Sequence, residues 1–313
     1  MRAQHLDQER TKGKSVVDES PIVTVIINTF NHEDYILQCL QSVMKQNFEG
    51  RLEILVIDDA STDRTYEILR ENSINVPHHI RIVRLNENEH SKGLWPGLAQ
   101  IKDTKAEFLA FCDGDDFWID QNKLTKQISK IRSSTNIGIV HTDYYSLEQI
   151  ESKWIQKERS EKEISKARQT LSSLDLIEGN NVKSSTALIR KSAIDFTFVE
   201  NAKTIPAKDW LLFLTVGINH KIVFLDEKTT VHRISEKGIW NGLEREVKSQ
   251  IKEAIAWYCA ASFPNIEIRN LFRKRVSYIY CRNLLAESMI GSYVKRILRT
   301  KRFLLALILK NDK

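Results

Sequence analysis

The sequence predicts an α/β fold: a mostly parallel central sheet flanked by helices, followed by a helical C-terminal extension. Apolar runs rich in β-branched residues recur along residues 21–242, as strands buried on both faces require. Between them lie segments whose apolar residues repeat at helical spacing, and this alternation builds βαβ units. The runs also end in a telling way. Phe108-Leu109-Ala110-Phe111-Cys112 passes straight into Asp113-Gly114-Asp115-Asp116. The carboxyl end of a central strand, where open α/β sheets bind ligands, therefore carries dense negative charge.

In chain order, residues 1–20 are polar, of mixed charge and without period, and read as a disordered lead. Pro21 introduces Ile22-Val23-Thr24-Val25-Ile26-Ile27, a central strand that ends at Asn28-Thr29-Phe30-Asn31. Ile36, Leu40 and Val43 mark the buried stripe of the first helix, which Gly50 closes. Residues 52–57 form a second strand that also runs into acid, Asp58-Asp59-Ala60-Ser61-Thr62-Asp63. A helix over 64–72 takes Thr62 or Asp63 as its cap. A third strand over 80–85 and a weaker helix over 98–104 lead to the 108–112 strand. Leu124, Ile128 and Ile131 mark another helix, and residues 137–141 a further strand.

From 146 to 170 charge replaces pattern, with Trp154 as the large apolar anchor. This stretch is expected as a flexible excursion or surface hairpin over the site. A short helix over 171–177, a strand over 186–190 and an apolar helix from Asp209 to Gly217 follow. The last strand is expected over 221–225, then a polar stretch through His232-Arg233 to Gly242, then helix. The domain division is therefore 1–20, 21–242 and 243–313.

Composition is that of a soluble globular protein, with 42% hydrophobic and 28% charged residues in 313. Cys39, Cys112, Cys259 and Cys281 have no paired short spacing, which argues against a zinc site or disulfide framework and for a reducing compartment. The apolar run 303–309 is too short to span a bilayer. Residues 269–313 hold twelve Lys and Arg against Glu287 and Asp312, a net +10; the chain's +6 leaves −4 for residues 1–268. The acid-bearing part is not basic, and no nucleic-acid partner is expected. The basic end, with Tyr293, Ile297 and Leu298 between its charges, could lie on an anionic membrane or form a solvated helical bundle. A cytoplasmic protein, peripheral at the inner face of the membrane, is the expectation.

Carboxylates packed as closely as Asp113, Asp115 and Asp116 repel and shift one another's pKa. A divalent cation relieves that repulsion, and hard oxygen ligands suit Mg2+ or Mn2+. The remaining motifs carry a resemblance. Residues 25–31, Ser42-Val43-Met44-Lys45-Gln46 and Val56-Ile57-Asp58-Asp59-Ala60-Ser61-Thr62-Asp63-Arg64-Thr65 resemble the family 2 glycosyltransferases, inverting enzymes with the GT-A (nucleotide-diphospho-sugar transferase) fold. Phe111 to Asp116 resembles their metal-binding Asp-x-Asp motif, and Lys208-Asp209-Trp210 the motif that holds their catalytic base. The resemblance covers roughly residues 21–242. The chain departs from it at Asn28, where proline is usual, and at Lys208, where glutamate is frequent. It departs again at His232-Arg233-Ile234-Ser235, where many members have Tyr-Arg-x-His, which leaves His232 and Arg233 for diphosphate contacts.

The resemblance implies a nucleotide-sugar donor, UDP-linked, and a saccharide or lipid-linked saccharide acceptor, in the synthesis of a bacterial surface polysaccharide, capsule or lipopolysaccharide. It implies that Asp59 hydrogen-bonds the nucleotide base with help from Asp58, against the plain alternative of helix-start acids. Thr29 and Asn31 line the same pocket or simply make a turn. Asp115 becomes the metal ligand, Asp113 faces the ribose and metal, and Asp116 faces the acceptor or the metal shell. Asp209 is the expected general base, desolvated beside Trp210, or else a helix N-cap. Two other readings compete: a non-catalytic nucleotide-sugar-binding scaffold, and a sugar-nucleotide nucleotidyltransferase. The latter needs a glycine-rich basic loop that residues 28–34 do not offer.

Overall fold

A computed structural model describes residues 21–74, 79–150, 153–169, 171–177, 179–203, 205, 207–234 and 245–286. The expected disordered lead, the polar stretch 235–244 and the basic end from 287 onward lie outside the described residues. The strands are β1 (Val23–Thr29), β2 (Leu52–Asp58), β3 (His79–Arg84), β4 (Phe108–Asp113), β5 (Phe117–Trp118), β6 (Ile137–Ile150), β7 (Lys153–Glu158), β8 (Leu188–Arg190) and β9 (Lys221–Ile234). They form one sheet in the order β3-β2-β1-β4-β8-β6-β9-β5, with β7 added to β6. β3, β2, β1 and β4 pair in parallel, as do β6 and β9. The short β8 is antiparallel to both β4 and β6, and β5 and β7 are antiparallel to their partners. The sheet is thus mixed by pairing, although its long strands all point one way.

Alternation on the central strands explains why they read as unbroken apolar runs. Val23, Val25 and Ile27 of β1 face one core, together with Phe108, Ala110 and Cys112 of β4. That face is covered by α1 (Ile36–Met44), α2 (Thr65–Asn72) and α4 (Lys123–Arg132), whose Leu40, Leu69 and Leu124 are fully buried. Ile26, Leu109 and Phe111 face the opposite core. α3 (Leu98–Asp103) and α6 (Phe196–Asn201) pack there, but the main cover is α7 (Lys208–Val216), which is buried from Trp210 to Val216. A helix apolar on all sides needs a second layer. Here that layer is α8 (Arg245–Ser262) and α9 (Ile266–Ala286), whose Ile255, Cys259 and Phe272 join the same core together with Phe263 between them. The first part of the expected C-terminal extension is therefore packed into the body of the fold.

Two strands outrun their expected ends. β6 and β9 are each 14 residues long and stay paired from Ile137/Lys221 to Glu148/Ile234, with irregular register around Asp143. Beyond His141 and Leu225 their side chains are largely polar and part-buried, so the apolar signal fades while the backbone ladder continues. His232 and Arg233 consequently sit on a strand. The expected excursion over 146–170 is the β6–β7 hairpin followed by α5 (Glu161–Gln169). It is anchored by a buried ion pair, Arg159 to Asp143 at 3.0 Å, with the guanidinium 4.9 Å from the centre of the Tyr144 ring. The short β5 had no legible signal. It pairs with β9 and draws the Asp113–Asp116 turn from the centre of the sheet toward His232.

Candidate active site

A cavity of about 970 Å3 opens at the carboxyl ends of β1 and β4. Asn28 and Asp113 enter it from those strands, Gly93 and Trp95 from the β3–α3 connection, Arg159 from just after β7, Lys183 from the segment before β8, and Asp209 from α7. Its size suits a nucleotide-sized ligand.

The acidic turn is held tightly. The Gly114 amide donates to Asn28 O at 2.8 Å, which brings the turn against the end of β1. A Cβ on Gly114 would lie 2.6 Å from Thr29 Oγ1 and 2.8 Å from His32 Nδ1, so only glycine fits between the paired acids. Gly114→Ala is expected to destabilise the protein by about 1–3 kcal/mol, the usual range for overpacking, as read from urea denaturation.

The acids have different environments. Asp113 Oδ2 accepts from Ser184 Oγ at 3.0 Å and Ser185 Oγ at 3.3 Å. Asp116 is fully buried and accepts from His232 Nδ1 and the Arg233 amide, both at 3.0 Å, and from Ser185 Oγ. Burial alone would raise its pKa. The His232 and Lys183 charges, with the bonds from His232 and Ser185, win and hold the carboxyl well below the usual carboxylate range. Asp115 goes the other way: burial, then the neighbouring Asp116 and Asp113 charges, push it up to about 7 against Lys183 and His232. Arg233 fastens the turn from outside, donating to Asp115 O and Gln38 Oε1 while its guanidinium lies over the Phe117 ring at 4.6 Å.

Asp209 lies in the first turn of α7, where helix amides favour a carboxylate. It is not the N-cap; Ala207 is, at φ 57, a left-handed conformation that strains a residue with a Cβ. Asn180 Nδ2 donates to Asp209 Oδ2 at 3.1 Å. Burial raises the Asp209 pKa, opposed by the Trp210 amide and Lys183 and assisted by Asp113. Lys208 does not cancel that rise, because its ammonium donates to Ala202 O. Trp210 is 3% exposed, and its indole N–H donates to Leu176 O at 2.9 Å. It forms a wall of the cavity with its one polar group already engaged.

Of the residues expected at the site, Asp113, Asp209 and Trp210 line this cavity, whereas Asp58, Asp59, Thr29, Asn31, Asp115, Asp116, His232 and Arg233 do not. Asp58 lies 3.4 Å from Arg84 and accepts from the Ser61 amide. Both Asp59 oxygens accept backbone amides of the β3–α3 connection, Glu89 at 2.7 Å and His90 at 3.1 Å. Burial, ahead of those two bonds, leaves its pKa raised. Asp59 therefore positions the segment that carries Gly93 and Trp95. Asn31, at φ 54, receives the Thr62 amide at 2.8 Å, and Thr29 Oγ1 meets His32 Nδ1 at 3.2 Å. Asp63 Oδ1 accepts from the Thr65 amide at 2.9 Å, but the N-cap position of α2 is Arg64, with no side-chain cap bond, rather than the expected Thr62 or Asp63.

Sequence reasoning missed Lys183. Lys183 sits among Asp113, Asp115 and Asp116; burial acts to strip its proton, and the three carboxylates outweigh it. The stretch Asn180 to Ser185 has no period and lies about 70 residues from the acids it touches, so no local signal marked it. Asn28 Oδ1 is buried without a hydrogen-bond partner at the cavity edge. Among the described residues no three His, Cys, Asp or Glu side chains converge as a metal cage. Magnesium-like ions need no such cage, since they take one or two carboxylates with waters and substrate phosphates. A carboxyl lifted to about 7 beside two other acids fits such an ion.

The comparisons with known proteins agree with this fold. An uncharacterized protein of Mycobacterium tuberculosis is 26% identical over 219 residues, 70% of this chain; the chain spans 60% of that relative's length. Among solved structures, Staphylococcus aureus TarS 1–349 in complex with UDP-GlcNAc has a TM-score of 0.60 at 20% identity, over 86% of this chain and 76% of that one. TarS is named a poly(ribitol-phosphate) beta-N-acetylglucosaminyltransferase. The mannosyltransferase PcManGT from Pyrobaculum calidifontis, in complex with GDP-Man and Mn2+, has a TM-score of 0.51 at 15% identity, over 94% and 88% of the two chains. These structures share the GT-A fold with this chain. The model of Glycosyl transferase family 2 matches residues 24–197, more than half of the sequence, and the chain belongs to that family of sugar-transferring enzymes.

Proposed function

We propose that the protein is an inverting glycosyltransferase that moves a sugar from a UDP-linked donor to an acceptor hydroxyl in the making of a bacterial surface glycan. The observation that carries the reading is the placement of Asp113 and Asp209 on one cavity, one at the end of β4 and the other at the start of α7. Single displacement needs such a pair of opposed positions. The donor's diphosphate lies over the acidic turn, and the acceptor oxygen approaches the anomeric carbon from the other side. Asp209 takes the hydroxyl proton as that oxygen attacks, and its raised pKa suits a base that must bind a proton in the transition state. Arg159 and Trp95 line the same cavity. Asp115 and Asp113 are the residues that would hold Mn2+ or Mg2+, which supplies charge neutralisation for the departing diphosphate when bound. Among the described residues no helix is long and apolar enough to cross a membrane. The basic end, residues 269–313, is the part of the chain proposed to meet a lipid-linked acceptor at a membrane surface.

A panel of UDP-, GDP- and dTDP-sugars, followed by thermal denaturation with and without Mn2+, tests the reading. One UDP-sugar at about 100 times its Kd is expected to raise Tm by about 5 °C or more with the ion present. The shift should vanish in the Asp113→Ala, Asp115→Ala double variant. No shift with any donor in either buffer would overturn it.

A further inference from the structure

The segment from Asn180 to Ser185 touches Asp209, Asp113 and Asp116. Asn180 binds Asp209, Ser184 binds Asp113, and Ser185 binds both Asp113 and Asp116. The segment is itself fixed: Ser185 O accepts the Trp118 indole at 3.0 Å, and Lys183 O accepts both the Thr186 amide and its hydroxyl. Lys183 lies between the residues that hold the two sides of the cavity, and its side chain lines that cavity. The charges that act on its ammonium are those of Asp116, Asp113 and Asp115, and the same ammonium acts on Asp209.

We infer that Lys183 is the fixed cation of the donor site, and that its ammonium binds the diphosphate of the nucleotide sugar. The inference rests on the reading of the cavity as a nucleotide-sugar site. An ammonium is a compact point charge suited to phosphate oxygens. In the transfer step the bond between the anomeric carbon and the phosphate oxygen breaks, and the bond from the acceptor oxygen to that carbon forms. The acceptor proton passes to Asp209, and the electron pair leaves with the diphosphate. Lys183 keeps its protons throughout and receives the added negative charge as a stronger ionic contact. This cation belongs to the chain and is positioned before substrate arrives, so it costs no reorganisation at the moment of transfer.

The test is equilibrium binding by calorimetry in MnCl2 buffer, comparing UDP with uridine on the full chain. The ratio of the two affinities isolates the phosphate contribution, and uridine binding reports an intact fold. Lys183→Met is expected to reduce that ratio about 10- to 100-fold while uridine binding stays unchanged, the range for one charged hydrogen-bonded contact. Lys183→Gln, measured beside it, separates loss of charge from a packing defect, and Lys183→Arg should restore most of the ratio. An unchanged ratio in both neutral variants overturns the role of Lys183 alone. Failure of UDP to bind the wild type overturns the donor-site reading and this inference with it.

Discussion

Asp209→Asn is expected to lower kcat about 10²- to 10⁴-fold, the range for loss of a general base, with donor affinity kept within about twofold. The asparagine keeps the shape and can still meet Asn180, but it cannot take a proton. The variant should also melt higher than the wild type at neutral pH. A carboxyl whose folded-state pKa is raised above its unfolded value is ionised at a cost to the fold, and the neutral amide removes that cost. A loss of activity paired with a gain in stability separates a desolvated base from a structural carboxylate, whose removal would lower both. The rate profile supplies a second check. Transfer requires the ionised form, so kcat should fall as pH drops through a value above the ordinary carboxylate range. A non-catalytic scaffold would show neither effect, and retention of full activity in Asp209→Asn would sink the assignment of the base.

The central strands and the acids at their ends were legible because both signals are local. β1, β2 and β4 are buried on two faces, so their sequences are largely apolar, broken by the buried Thr24 and Glu53, and acids follow β2 and β4 at once. β6 and β9 were legible only where they share that environment. Their second halves carry Tyr144, Tyr145, Thr229 and Thr230, which pair well across strands but break the apolar run. Asp59 and Asp209 show the limit at the site itself. Both stand at an element boundary in an acidic motif, yet one is enclosed by the amides of Glu89 and His90 and the other opens on the cavity. That difference depends on how the β3–α3 connection folds back, which no short window encodes. Lys183 was illegible for the same reason, since its meaning comes from carboxylates on another strand.

Asp116→Ala is expected to cost about 3–5 kcal/mol of stability, the range for removing one partner from a buried ionic network. The carboxyl is fully buried and accepts from His232, the Arg233 amide and Ser185, so its loss leaves three donors without their acceptor. It also cuts the tie between the acidic turn and the end of β9, which aligns Asp115 and Arg233. Urea denaturation across pH gives the distinguishing result. Because the folded pKa of Asp116 is depressed, its contribution is fully present above the unfolded value of about 3.9 and is lost as pH falls toward the folded value. The gap between wild type and variant should narrow below about pH 4. A gap below about 1 kcal/mol at pH 7 would place Asp116 among ordinary surface-like ion pairs. A gap that stayed constant to pH 3 would show that side-chain volume, not charge, is what the turn needs there. In either case the acidic turn would be held against β9 by the β5–β9 pairing and by Arg233 rather than by the Asp116 charge.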